Sequence, residues 1–118
     1  MVFMNNLSTI NNIFLEKQLA TLLGWFGIVQ YQNKLIGYMS GDNPGKTFRQ
    51  TIPQYTRNVE VNEKLATNFC INIVSQKDTY YGNLFVAHTK DYDNPQIAKM
   101  ILVALEVIDL LEEYQCIE

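Results

Sequence analysis

The chain has 118 residues, 47% of them hydrophobic, and a formal charge of −3. That is one domain's length, able to bury roughly two-thirds of its unfolded surface without metal or disulfide support. Nine basic residues scattered among twelve acidic ones form no stripe for a phosphate backbone, which argues against a general nucleic-acid binder. No segment nears the roughly 20 apolar residues that cross a bilayer, so no membrane association is expected.

The first predicted element is a helix from about Ser8 to Leu23. Leu7, Ile10, Phe14, Leu15, Leu19, Leu22 and Leu23 recur at three- and four-residue spacing and form one apolar stripe. Ser8 or Asn11 can cap its start, and Gly24 supplies the left-handed residue that ends it. Residues 1–7 are expected to be flexible, with Met4 an alternative start to Met1.

Two strands follow, Trp25–Tyr31 and Lys34–Met39. Gln32-Asn33 is the hairpin turn between them, because asparagine tolerates positive φ. The stretch from Ser40 to Lys46 concentrates turn formers and reads as a loop, and the chain around Pro53 is extended or irregular. Asn58 caps a short helix from Val59 to about Asn68, with Val61, Leu65 and Phe69 facing inward. A third strand is expected over Phe69–Ser75 and a fourth over Thr79–His88, joined at Gln76-Lys77-Asp78. Apolar residues on both faces of the fourth place it centrally, covered on two sides.

The last helix carries the plainest signals. Asn94 is its cap, and Pro95 takes the first position, where a missing amide costs nothing. Ile97, Ala98, Ile101, Leu102, Leu105, Ile108 and Leu110 or Leu111 give it one inward face as far as about Tyr114, with residues 115–118 a tail. Burying six large aliphatics contributes on the order of 10 kcal/mol before entropy is subtracted, enough to anchor a small domain. The fold expected is α+β: a single domain in the order α-β-β-α-β-β-α, with two hairpins forming one four-stranded, mostly antiparallel sheet packed with helices.

Three segments carry a family likeness. Leu19-Ala20-Thr21-Leu22-Leu23-Gly24-Trp25 is one, Pro53-Gln54-Tyr55-Thr56-Arg57-Asn58 before a helix bearing Glu63 and Lys64 is another, and the run from Asn94 to Leu105 is the third. Together they resemble the phage α-β-α sandwich domain of small phage and prophage proteins. This chain departs in having Asn58 where an aspartate is usual, and in lacking the Cys-Arg pair of the closing helix. The resemblance implies a fold and a mobile-element origin, and no catalytic residues.

Several motifs suggest chemistry and fall short of it. Gly41-Asp42-Asn43-Pro44-Gly45-Lys46-Thr47 has the flavour of a phosphate loop, yet it spaces its glycines one residue too closely and has no room for the helix that motif must open. His88, the lone histidine, could pair with Cys70 across a hairpin as base and nucleophile; the plainer reading is a strand-end histidine. Asp91, Asp93 and Asn94 lack the glycine and glutamate of a calcium loop and suit helix capping. Cys70 reads as a small core residue, and a bridge to Cys116 is not favoured in a reducing compartment. No cofactor or metal is implied, and with no basic, apolar leader a cytoplasmic setting is expected.

Surplus tyrosine and arginine remain. Tyr31, Tyr38, Tyr55, Tyr80, Tyr81 and Tyr92, with Arg49 and Arg57, belong to the types enriched at interaction hot spots. The sequence therefore predicts a non-enzymatic binding protein for a protein partner or a second copy of itself, a homodimer. Its candidate contacts are Arg49, Tyr55, Arg57, Lys46, Tyr81 and His88. The alternative is a small nucleotide-like ligand held by the Lys46–Arg57 segment, and a further alternative is the Cys70/His88 enzyme.

Overall fold

The computed structural model describes residues 12–117, with side chains as far as Tyr114. The expectations for residues 1–7, the capping choices Ser8 and Asn11, the stripe members Leu7 and Ile10, and the side chains of the 115–118 tail lie outside the described residues. Helix α1 (Asn12–Leu22) seals Leu15, Leu19 and Ala20 in the core but leaves Phe14 65% exposed. It ends as Gly24 predicts. At φ +105°, Gly24 donates its N–H to Thr21 O at 3.2 Å, and Trp25 donates to Ala20 O at 3.0 Å. These two bonds satisfy carbonyls the helix would otherwise orphan.

Strands β1 (Phe26–Tyr31) and β2 (Lys34–Tyr38) form the expected antiparallel hairpin. The residue that takes positive φ in its turn is Gln32, at +57°, rather than Asn33: the first position of the two-residue turn demands it. Gly27, at φ +59°, sits where the register shifts between Phe26 and Val29, the place of a glycine β-bulge. A two-residue strand, β3 (Gln50–Thr51), pairs with β2 and completes a sheet in the order β1-β2-β3. Two residues carry no periodicity, so the sequence had no signal for it.

Helix α2 (Val59–Asn68) matches its expected bounds, and the Asn58 side chain accepts from Val61 N at 3.1 Å. Its C-terminus corrects two expectations. Cys70 is not a buried strand residue; it is exposed and takes the left-handed position at φ +56°. Ile71 donates to Ala66 O at 2.8 Å and Cys70 to Thr67 O at 3.2 Å, the same end motif as α1 with a cysteine where glycine is usual. The chain is therefore still leaving a helix where the third strand was expected, and β4 spans only Val74–Gln76.

The expected fourth strand is also broken. β5 (Thr79–Tyr81) and β6 (Val86–His88) are separate antiparallel neighbours, joined by a turn in which Gly82 N donates to Phe85 O at 2.9 Å. What breaks the strand is the Glu106 carboxylate of the last helix, whose Oε2 accepts from Leu84 N at 3.0 Å and Phe85 N at 2.9 Å. A Cβ on Gly82 would sit 2.8 Å from Glu106 Cδ, so only glycine lets the turn close over that group. The architecture is thus α+β with two small three-stranded antiparallel sheets, β1-β2-β3 and β4-β5-β6, and not one four-stranded sheet.

Helix α3 (Pro95–Ile117) starts as predicted, with Asn94 Oδ1 accepting from Ile97 N at 2.9 Å, but it runs past Tyr114 through residues 115–117, which were expected to be a tail. Its burial exceeds a single face: the five consecutive residues Met100–Ala104 are all buried, as in a helix covered on every side. It packs against α1, α2, β5 and β6. The main core joins Leu15 and Leu19, Leu35, Ile52, Leu65 and the Ile101–Ile108 stretch. A smaller cluster seats Ala87 of β6 on Ala98 and Leu102, so the second sheet covers α3 with one face only.

Candidate functional site

The first sheet has a covered side and a bare one. Leu35 is buried, and a Cβ on Gly37 would meet Ile52 Cδ1 at 3.2 Å, so these two alternate positions of β2 face the core. Lys34, Ile36 and Tyr38 consequently face away from it. The register places Tyr31, Val29 and Phe26 beside them in that order. Phe26, Val29 and Tyr31 are 39%, 41% and 57% exposed. Apolar side chains grouped on one exposed face are what an interaction surface presents.

The 39–49 loop folds over one end of this face. With Ile36 and Tyr38 it lines an open cavity of about 450 Å³, to which Lys46, Phe48 and Arg49 contribute. Arg49 holds the arrangement together. Its guanidinium lies 4.9 Å from the centroid of the Tyr38 ring, a cation–π distance, and its Nε donates to the Gly27 carbonyl at 2.7 Å. It thereby crosses from the end of the loop, over β2, to the bulge in β1. The Phe26 and Tyr38 rings stand 5.5 Å apart. Phe48, at 90% exposure, has almost no intramolecular contact to account for a large apolar group at this position.

The loop's own amides are occupied. Met39 N donates to Asp42 Oδ2 at 2.7 Å, Gly45 N to Asn43 Oδ1 at 3.0 Å, and Lys46 N and Thr47 N both to Asn43 O at 2.9 Å. The chain then enters β3 rather than a helix. The amides of Gly45, Lys46 and Thr47 are thus turned to Asn43, and no helix follows to supply the dipole a phosphate loop uses.

The six candidate contacts do not converge. Lys46 and Arg49 share the cavity just described. Tyr55 is buried in the main core; burial raises its phenol above the ordinary tyrosine value, hydrogen bonding with the Trp25 side chain pulls it back, and the Glu16 carboxylate adds to the rise. Arg57 is bound to Glu16, with Nη2 to Oε1 at 2.8 Å and Nε to Oε2 at 3.2 Å. Tyr81 and His88 belong to the second sheet, where His88 Nδ1 lies 3.3 Å from Thr79 Oγ1. The adjacency that suggested a Cys70–His88 pair is absent: Cys70 ends a helix, and β5 intervenes between β4 and β6.

Three buried polar residues escaped the sequence reading. Glu16, besides Arg57, accepts from Thr56 N at 3.0 Å and Thr56 Oγ1 at 2.9 Å. Asn62 Nδ2 donates to Tyr55 O at 2.8 Å and Met100 O at 3.1 Å. Glu106 caps the 84–85 amides. The signal was present in each case, as a polar residue inside or beside an apolar helical stripe, which is costly unless partnered. Phe48 gave no such signal.

Among the described residues no group of three or more His, Cys, Asp or Glu is placed to hold a metal ion, and no helix is long and apolar enough to cross a membrane. Comparison with known proteins finds no family model, characterised protein or solved structure that matches the chain.

Proposed function

We propose that this chain is a non-enzymatic binding protein that engages its partner through the bare face of the first sheet and the loop above it. One observation carries the reading: Phe48 stands 90% exposed close to the Arg49–Tyr38 stack and Lys46, so an aromatic and cationic patch is presented to water. Of the polar groups elsewhere, Glu16 is engaged by Arg57 and Thr56, Glu106 by backbone amides, and His88 lies beside Thr79. The three segment likenesses support a phage or prophage origin for this role.

The test is an amide NMR titration of the labelled chain with candidate partners, paired with the Phe48→Ala/Lys46→Ala variant. Shifts should concentrate in residues 26–51 and vanish in the variant, whose melting temperature should match the parent. Shifts centred on Tyr81 and His88, or undiminished in the variant, refute the assignment of this face.

A second reading keeps the site and changes the ligand. A cavity of about 450 Å³ with Lys46, Arg49 and Tyr38 on its lining falls within the range of small-ligand pockets and offers charge for a phosphate and a ring face for a base. Mono- and cyclic nucleotides at about 100 times their dissociation constant would then stabilise the fold by roughly 2.7 kcal/mol, several degrees in melting temperature. A flat response across the panel eliminates this reading.

A further inference from the structure

We infer that the partner of this face is an extended acidic segment of another protein, added as a fourth strand to the free edge of β1. The inference rests on the binding reading above and assigns the partner's chemistry. Among the described residues β1 pairs only with β2, so its other edge offers backbone donors and acceptors there. The hairpin closes at Tyr31↔Lys34 across a two-residue turn, which directs the backbone of Tyr31 inward. Alternation then leaves the N–H and C=O of Gln30 at the open edge.

Proteins ordinarily guard such edges with lysine, proline or inward charges. Phe26–Tyr31 reads Phe-Gly-Ile-Val-Gln-Tyr and has none of them. Its one protective device is the Gly27 bulge, confined to the start of the strand, with Val29, Gln30 and Tyr31 in regular register beyond it.

Side-chain chemistry then selects the occupant. From Gly24 to Ile52 the chain carries Lys34, Lys46 and Arg49 against Asp42 alone, a formal +2, which leaves −5 on the rest of a chain whose total is −3. Asp42 spends one oxygen on the Met39 amide. An added strand would lay alternate side chains alongside Phe26, Val29 and Tyr31, one strand removed from Lys34 and the Arg49–Tyr38 stack on β2, so apolar residues alternating with carboxylates complement this net-positive sheet. A second copy presenting the same edge would oppose like charges, and three cations are few for a nucleic acid held through its phosphates.

Fluorescence polarisation with the whole chain decides the matter. The probes are a labelled alternating valine–aspartate octapeptide, its valine–lysine counterpart, the valine–aspartate peptide methylated on alternate amide nitrogens, and an oligothymidylate of similar length. The acidic peptide should bind at least tenfold more tightly than the basic one, and N-methylation should abolish binding. Gln30→Pro removes the edge donor at a position where edge strands tolerate proline. It should weaken binding at least tenfold with an unchanged melting temperature, while Lys34→Glu/Lys46→Glu should invert the charge preference.

Equal binding by the Gln30→Pro chain, with loss in the Phe48→Ala/Lys46→Ala variant, overturns strand addition and leaves the binding face standing. Tight binding of oligothymidylate with none of the acidic peptide overturns the partner class. A dimer by light scattering that Gln30→Pro dissociates assigns the edge to a second copy and equally overturns the inference. Should Gln30→Pro unfold the chain, the N-methylated peptide decides alone: binding equal to the parent peptide overturns strand addition.

Discussion

Replacing Arg57 with alanine should destabilise this fold far beyond what loss of a surface arginine would. An exposed ion pair contributes about 0–1 kcal/mol, whereas removing one partner of a buried pair costs about 3–5 kcal/mol, because the remaining charge is stranded. The Glu16 side chain is 2% exposed and that of Arg57 24%, so Glu16 is the group that would be stranded. It would keep only the Thr56 N–H and hydroxyl, which places Arg57→Ala near the low end of that range, about 3 kcal/mol. Glu16→Gln should cost less, about 2 kcal/mol, since Arg57, with 24% of its side chain exposed, can turn its guanidinium to water. The double variant strands no charge and should therefore cost at least 1 kcal/mol less than the two singles together. Urea unfolding followed by Trp25 fluorescence and circular dichroism measures all three, and 3 kcal/mol moves the midpoint by about 1.5 M at a typical slope of 2 kcal/mol per M. An Arg57→Ala chain within 0.5 kcal/mol of the parent, or strict additivity in the cycle, would refute the reasoning.

Cys70→Gly should raise stability by about 1 kcal/mol, because the left-handed backbone at φ +56° strains any side chain and suits glycine; a lowered melting temperature would rule that out. Tyr92 supplies an alkaline limit. Burial, helped by the Asp91 charge, pushes its phenol from 10.0 up to about 12, so the fold favours the neutral form. The associated stability is whole below pH 10 and disappears as pH rises from about 10 through 12, on the order of 1–2 kcal/mol for a half-buried ring. Tyr92→Phe should flatten that part of the stability profile, and an unchanged alkaline slope would assign it to another group.

Cap signals at helix ends translated well, although the left-handed residues Gln32 and Cys70 did not announce themselves. Gly24, Asn58, Asn94 and Pro95 each cap or open the helix they were expected to, and α2 falls on its expected bounds. Expectations failed where a distant side chain decided the outcome. The run from Thr79 to His88 has strand propensity throughout, yet Glu106, more than twenty residues away, takes the amides of Leu84 and Phe85 and makes a turn of its centre. Cys70 has core composition, but the end motif of α2 puts it in solvent. The site was legible as residue types only: Lys46 and Arg49 were expected and meet, whereas Tyr55 is taken into the core and Arg57 is held by Glu16, 41 positions before it, a pairing no periodicity shows.

Those buried polar residues also explain why the binding face falls where it does. Glu16 holds the 56–57 turn, Asn62 ties Tyr55 to α3, and Glu106 holds the 84–85 turn; each loop is fastened by a buried side chain of a helix. The 39–49 loop has no such fastening among the described residues. Its bonds run between its own members, apart from Arg49 reaching Gly27. Opening it breaks few buried contacts, and segments that adapt to partners are drawn from that low-stability end. Native-state hydrogen exchange should therefore divide the loops. The amides of Thr56 and Phe85 should exchange only near the free energy of global unfolding, while those of Lys46 and Thr47, bonded to Asn43 O, should exchange through local opening at least 2 kcal/mol below it. A partner seated on Phe48 and Lys46 should then slow Lys46 and Thr47 selectively, since it must hold the loop closed to keep those contacts. If Lys46 and Thr47 are as protected as Phe85 in the free chain, the loop is part of the rigid frame, and its exposed phenylalanine needs a different explanation from the one proposed here.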